Sequence, residues 1–403
     1  MKSGYKKTDI GIIPEDWDEA HIGSNFEFKN GLNKAKSFFG HGTPIVNYMD
    51  VFNSSGLEIN NLKGKVDVTF QEKQNFLVKK GDVFFTRTSE TIQEIGVTSV
   101  MIDNCKDTVF SGFLLRARPK SKLIEEAYCR YCFSSYVVRK QIISKSTYTT
   151  RALTNGRLLS SVVLPLPKSS EQKEIAKTLL DVDKLIEHLE KLIHKKLDIK
   201  TATMQKILRK EGRLPGFMGT WEVKNLGDVV DIKKGQLITE KTAARGDIPV
   251  IAGGIQPSYY HNKPNRKPNV ITISASGASA GFVGFHAYSI FASDCSTIEE
   301  SDKYDVRFIF FSLQLRQKEI YKLQTGGAQP HVYPENLKNL ELLFPEIEEQ
   351  FAIADVLSDM ESEIQTFVKY LKKVRNFKRG MMQELLTGKT RLVKFDKKHI
   401  VSK

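Results

Sequence analysis

Gly277-Ala-Ser279-Ala-Gly281 has the Gly-x-Ser-x-Gly spacing that can present a nucleophilic serine on a strand-to-helix turn. That chemistry needs a helix after the serine, then an acid and a histidine. Here Phe282-Val-Gly-Phe follows and reads as another strand, so the segment is expected to be a glycine-rich hairpin. Gly388-Lys389-Thr390 resembles the end of a phosphate-cradling loop. The first glycine of such a loop would fall at Gln383, however, and the tripeptide follows a helix instead of opening one. Cys129 and Cys132 form a Cys-x-x-Cys, which binds metal or cycles a disulfide only with further ligands or a thioredoxin-like setting. Cys105 and Cys295 stand apart, and 125–143 reads as one helix on which both thiols share an apolar face. The eight histidines include no His-Glu-x-x-His. Neither an Asn-Pro-Pro-Tyr-like methyltransferase motif nor a methyl-donor glycine fingerprint occurs. The sequence predicts no catalytic residue, no metal site and no cofactor in this chain.

Binding chemistry is richer. Lys29, Asn30 and Lys34 surround Gly31, and Lys233, Lys234 and Gln236 surround Gly235 at an equivalent place. Arg87, Thr88 and Ser89 follow an apolar strand at 83–86, as Ser274 and Ser276 follow one at 270–273. Tyr260, Lys263 and Arg266 mark a basic loop. Tyr148 and Arg151, like Gln329 and His331, precede a return to helix. A single side chain of these types on a loop is ordinarily just solvated. Together they are the groups that fix phosphates and read base edges, and the formal net charge of +14 favours a polyanionic partner.

The elements that must carry these loops are written twice. Pro345, Gln350, Ile353, Leu357, Ile364, Met382 and Arg391 each follow Pro167, Gln172, Ile175, Leu179, Ile186, Met204 and Arg213 by 178 residues. Trp221, Gly227 and Gly235 follow Trp17, Gly23 and Gly31 by 204. The first variable segment is therefore 26 residues longer than the second (204 − 178). Such duplication governs the fold, and a two-fold protein suits a two-part target.

After each variable segment comes a proline-free run with 3-4 apolar spacing. Leu179, Val182, Ile186, Leu189 and Ile193 carry it in the first copy; Leu357, Met360, Ile364, Phe367 and Leu371 carry it in the second. Alternation this long is a coiled-coil seam, and helices of roughly 40 residues would be about 60 Å long. Acidic residues crowd the first half of each run and basic ones the second, which favours antiparallel pairing. The intervening segments, with short apolar strands and Gly/Asn turns, read as two globular α/β domains.

On these residues the chain resembles the specificity subunit of a type I restriction-modification enzyme. The most specific pieces are Ile-Pro-Glu-Asp-Trp at 13–17, Leu-Pro-Gly-Phe-Met-Gly-Thr-Trp-Glu-Val-Lys-Asn-Leu-Gly-Asp at 214–228, and the two Pro-x(4)-Gln helix starts. Met-Met-Gln-Glu-Leu-Leu-Thr-Gly-Lys-Thr-Arg-Leu at 381–392 matches the family's closing motif, with a central copy at 204–214 that ends in Lys210-Glu211-Gly212-Arg213 in place of Thr-Gly-Lys.

The resemblance implies an α/β fold: two target recognition domains at 1–165 and 213–343, separated by a long antiparallel coiled coil of conserved helices at 166–212 and 344–392, with a tail at 393–403. It implies a non-catalytic subunit whose domains each read half of a bipartite site in double-stranded DNA. The helices would act as a spacer ruler and dock two methyltransferase subunits, to which restriction and motor subunits add. Methyl donor, ATP and Mg would be bound only by those partners. No apolar run is long enough to span a membrane, and the N-terminus lacks an apolar signal core, so a cytoplasmic location is expected. Two other readings stay open: the recognition subunit of a methyltransferase-nuclease of another type, and a coiled-coil scaffold that binds no DNA.

Overall fold

Repetition in the sequence becomes repetition in hydrogen bonding. The structure is a computed structural model that describes residues 4–392; the expected tail at 393–403 lies outside the described residues. Contacts divide the chain into two units. Residues up to 188 join those from 372 onward in the first, and Leu189–Leu371 form the second.

The first unit is built on a five-stranded sheet ordered Phe26–Asn30, Leu114–Pro119, Val83–Thr86, Thr98–Met101, Gly56–Leu57. Its pairings are antiparallel except the last, where Val100 pairs in parallel with Gly56. Successive side chains point to opposite faces. Val83 and Phe85 thus enter one core with Phe26, Leu115, Tyr128 and Phe133, while Phe84 enters another with Val46, Met101 and Phe110. Burial on both faces is why the strand is apolar throughout. The Phe133 ring meets Phe85 at 5.1 Å and 70°, the edge-to-face arrangement that ring quadrupoles favour.

The single helix expected over 125–143 is two, Glu126–Cys132 and Tyr136–Lys145. Ser135 divides them because its Oγ accepts the Val138 amide at 3.4 Å, a serine cap that restarts the helix. Cys129 and Cys132 are both buried free thiols, and burial together with the neighbouring thiol pushes the Cys132 pKa well up. In the second unit the helical stretch near 305–323 likewise divides, into Val306–Leu315 and Gln317–Lys322.

The second unit has a fully antiparallel four-stranded sheet, ordered Lys233–Lys234, Cys295–Ile298, Val270–Ser274, Val283–His286. Registers expose the repeat. Leu115 stands between Asn30 and Phe85 in the first sheet, as Ser296 stands between Lys234 and Ile273 in the second. Gly31 and Gly235 follow the first strands, and a Cβ on either would lie 2.0 Å from a carbonyl oxygen, of Ser111 or Ser293. No larger residue fits there.

The 26 extra residues can now be located in part. Pro44 pairs with Lys65, and its counterpart Pro249 pairs with Tyr260, spans of 21 and 11 residues by subtraction. Ten extra residues therefore lie in this one excursion, which carries the helix Tyr48–Asn53 and the strand Gly56–Leu57. A capping box starts the helix, with the Asn47 amide donating to Asp50 Oδ2 at 2.8 Å, and buried Val51 pins it.

Two long helices, Ser169–Leu208 and Ile347–Leu385, start from matching anchors. Gln172 Nε2 donates to the Pro167 carbonyl at 2.9 Å and its Oε1 accepts the Glu125 amide at 2.8 Å. Gln350 does the same with Pro345 at 3.0 Å and Asp305 at 3.2 Å. The preceding residues, Glu171 and Glu349, have side chains only 1% exposed. Glu171 accepts the Trp17 indole N–H at 2.8 Å and a fork from Arg391 at 2.7 and 2.8 Å. Glu349 accepts Trp221 at 3.1 Å and Arg213 at 2.8 and 2.6 Å. Arg391 also holds Asp16, at 2.9 and 2.8 Å. Burial alone would raise the Asp16 pKa, but the guanidinium outweighs it and holds the carboxyl below the usual range.

Along the seam Leu179, Leu189, Leu357, Ile364 and Leu371 are buried, while Val182, Ile186, Ile193, Met360 and Phe367 are half-buried. Leu197, next in the apolar series, is instead 42% exposed. Seven residues beyond Ile193 stands Lys200, buried and ion-paired with Glu361, with Lys196 paired to Glu363 at 2.7 Å in the same unit. Ion pairing and not apolar side chains fills this stretch.

Candidate nucleic-acid interface

In the first unit Thr147–Tyr148 and Ala152–Leu153 form a hairpin whose second strand also pairs with Thr88–Ser89. The Thr154 amide donates to the Arg87 carbonyl at 3.0 Å. In the second unit His331 bridges both Thr325 and Ser276, and the Val332 amide donates to the Ala275 carbonyl at 2.9 Å. The 178-residue register therefore reaches back to Thr147/Thr325 and Leu153/His331. Each unit presents a narrow ribbon whose tip, 149–151 or 326–330, projects beyond paired backbone. Two-stranded ribbons of this kind fit the major groove, about 12 Å wide.

The ribbons hold some of the expected residues. Tyr148, Arg151 and Gln329 are exposed; the Tyr148 hydroxyl reaches the Glu90 carbonyl at 3.4 Å. His331 is half-buried and stacks on Tyr333 at 6.1 Å and 15°. Arg87 and Thr88 are half-buried at the ribbon's side, and Asn30, Lys234, Gln236, Tyr260 and Lys263 are exposed.

Others are occupied by their own fold. Lys29 Nζ donates to the Asn75 carbonyl at 2.6 Å. Lys34 pairs with Glu72 at 2.8 Å over the Phe38 ring, and Lys233 pairs with Glu299 at 2.8 Å. Arg266 is spent on Thr297 Oγ1 at 2.8 Å and the Asn265 and Lys234 carbonyls. Ser89 and Ser274 are buried, the latter as the last residue of its strand and not in a loop, and Ser276 donates to Asp294. These seven side chains are engaged within their own unit.

Sequence reasoning looked for polar groups and passed over exposed apolar ones. Beside the first hairpin, Tyr48, Met49, Phe52 and Phe113 line a cleft of about 410 Å³ together with Thr88, Glu90 and Arg151. Met49 is 55% exposed and Phe113 61%. In the second unit Leu237 and Tyr288 stand out similarly. A methionine and a phenylalanine inside apolar stretches read as core in sequence, and only the fold turns them outward.

The segments with catalytic spacing form turns. Ser279 sits in the hairpin turn between Val270–Ser274 and Val283–His286, with no helix after it. Gly388 (φ +69°) closes the second long helix, its carbonyl accepting the Tyr5 hydroxyl at 2.9 Å. Among the described residues no three His, Cys, Asp or Glu gather as a metal site, and no helix is long and apolar enough to cross a membrane.

A family model for the type I restriction modification DNA specificity domain matches the chain twice, over residues 14–197 and 218–374. A provisionally named type I restriction enzyme MjaX specificity subunit of Methanocaldococcus jannaschii is 26% identical over 417 residues, covering 97% of each chain. The type I restriction enzyme MjaVIII specificity subunit of that organism is 23% identical over 419 residues, covering 94% of each. The crystal structure of a type I restriction-modification S subunit from M. genitalium has a similar fold, with a TM-score of 0.63 at 16% identity, over 92% of this chain and 96% of that one.

Proposed function

The chain belongs to the type I restriction modification DNA specificity family, and from that premise we propose how its two units divide the reading of DNA. It is a non-catalytic subunit that recognises a DNA sequence and works in a complex with other subunits. Each unit offers its ribbon to the major groove, Tyr148 and Arg151 in the first, Gln329 and His331 in the second. Exposed Lys234 and Lys263 add phosphate contacts in the second unit. One observation carries this reading: the backbone pairing of the ribbon is duplicated while the side chains at its tip are not. Equal frames with unequal tips suit a bipartite, asymmetric site.

The domains at 1–165 and 213–343 would be the readers, and the two long helices an antiparallel coiled coil that sets the spacer. Lys196–Glu363 and Lys200–Glu361 support that sense, since numbers rise on one helix as they fall on the other. Paired polar residues at seam positions are a known means of fixing register. The helices would dock two methyltransferase subunits, joined by restriction and motor subunits in the cytoplasm, and methyl donor, ATP and Mg would be held by those partners.

The test is methylation mapping with the reconstituted complex. Arg151→Ala should relax one half-site and Gln329→Ala the other, each by about 1–3 kcal/mol of discrimination. Relaxation of the same half by both variants, or of neither, would overturn the assignment.

A further inference from the structure

The cleft beside the first ribbon is built differently from a phosphate site. Its floor is apolar: Met49 and Phe113 are more than half exposed, and the Tyr48 and Phe52 rings stack behind them at 5.8 Å and 16°. Its rim mixes charges. Arg151 and Thr88 stand there with Glu90, and with Glu94, whose carboxylate accepts the Thr91 hydroxyl at 2.8 Å. A phosphodiester entering would lose water to gain an apolar wall and two carboxylates. Such a wall is matched by an occupant that carries an apolar group of its own.

The major-groove edge of one base supplies what the cleft lacks. Thymine alone among the four bases displays an apolar group there, its C5 methyl, beside the O4 acceptor and next to the N6 amine of its paired adenine. A methyl seated on Met49 and Phe113 would leave O4 toward the donors Arg151 and Thr88, and the adenine amine toward Glu90. We propose that this cleft is a thymine-methyl pocket of the first unit, a refinement that rests on the DNA-reading role above.

The second unit lacks the helix that carries Met49. Tyr48, Met49 and Phe52 all lie in the longer excursion between Pro44 and Lys65, and the shorter return from Pro249 to Tyr260 contains no helix. Dependence on a thymine methyl through this pocket therefore belongs to one half-site only.

Replacing thymine by deoxyuridine removes the methyl and nothing else. After the site is mapped, binding of the full complex is measured on duplexes substituted at each thymine in turn. At one position in the half-site that Arg151→Ala relaxes, uracil should weaken binding about fourfold, the worth of one buried methyl. In Met49→Ala and Phe113→Ala, thymine and uracil should bind alike there, with the other half-site unaffected; Met49→Leu should restore the difference. Both positions are exposed, and unchanged thermal unfolding verifies that the variants fold. The pocket is refuted if no thymine in that half-site shows the effect, if the alanine variants keep it, or if only 5-methylcytosine in place of cytosine strengthens binding. A wild-type complex with no sequence-specific binding would instead overturn the DNA-reading role itself.

Discussion

Arg391→Ala is the most informative single change. The Glu171 side chain is only 1% exposed, and Arg391 forks onto both its oxygens while the Trp17 indole donates to one. Removing one partner of a buried pair costs about 3–5 kcal/mol, mostly from the stranded charge. The Arg391 side chain is 14% exposed, so water can enter the vacated space and about 2–4 kcal/mol is the better expectation. With a urea dependence near 2 kcal/mol per M, the midpoint of the first unit should fall by about 1–2 M. Trp17 is one of only two tryptophans, so in a Trp221→Phe background its fluorescence reads this unit alone. Adding Glu171→Gln removes the stranded charge and keeps an acceptor for the indole. The double variant should therefore recover part of the loss. A double variant less stable than Arg391→Ala, or an unchanged midpoint in the single one, would refute the reasoning.

The Arg391–Asp16 pair fixes an acid limb. Because the Asp16 pKa is depressed in the fold, its contribution is complete above the unfolded value near 3.9 and lost as pH falls through the folded one; Arg391→Ala should flatten stability below about pH 4. His286 acts at higher pH. Burial lowers its pKa from 6.5 to about 4, with Nε2 2.9 Å from Thr272 Oγ1. The unfolded chain then binds the extra proton between those values, so stability of the second unit should decline as pH drops from about 6.5 to 4, by at most about 3 kcal/mol. His286→Gln should abolish that slope in pH-dependent denaturation. Deleting seven residues from each long helix, within 182–193 and 360–371, keeps the seam phase and should shorten the DNA spacer recognised by the reconstituted complex. An unchanged spacer in the mapped site would reject the ruler role.

The repeated frame could be read in sequence because its matches fall on residues with fixed jobs. Trp17 and Trp221 cap a glutamate, Gln172 and Gln350 bridge two backbone groups, and Gly31 and Gly235 lie against a carbonyl. Few substitutes do those jobs, so the pattern survives duplication. Breaks within helices were invisible where apolar periodicity continues across them, as at Ser135. Interface residues were harder. Arg266 looks like a free loop cation beside Lys263 and Lys267, yet Thr297 and Lys234, both distant in sequence, claim its guanidinium. The aromatic cleft escaped because surface and core phenylalanines are the same letter.

The excursion between Pro44 and Lys65 begins and ends at one place, since the Ile45 amide donates to the Gly64 carbonyl at 3.1 Å. A loop that leaves and re-enters through a closed backbone contact can change length cheaply. Doubling it costs only about 0.6 kcal/mol in closure entropy, which is roughly the difference between this excursion and its 11-residue counterpart. The frame can thus accept new inserts at this gate without reworking its sheets. Ten of the 26 residues by which the two copies differ entered here, while the paired tryptophan, glutamine and glycine anchors stayed the same.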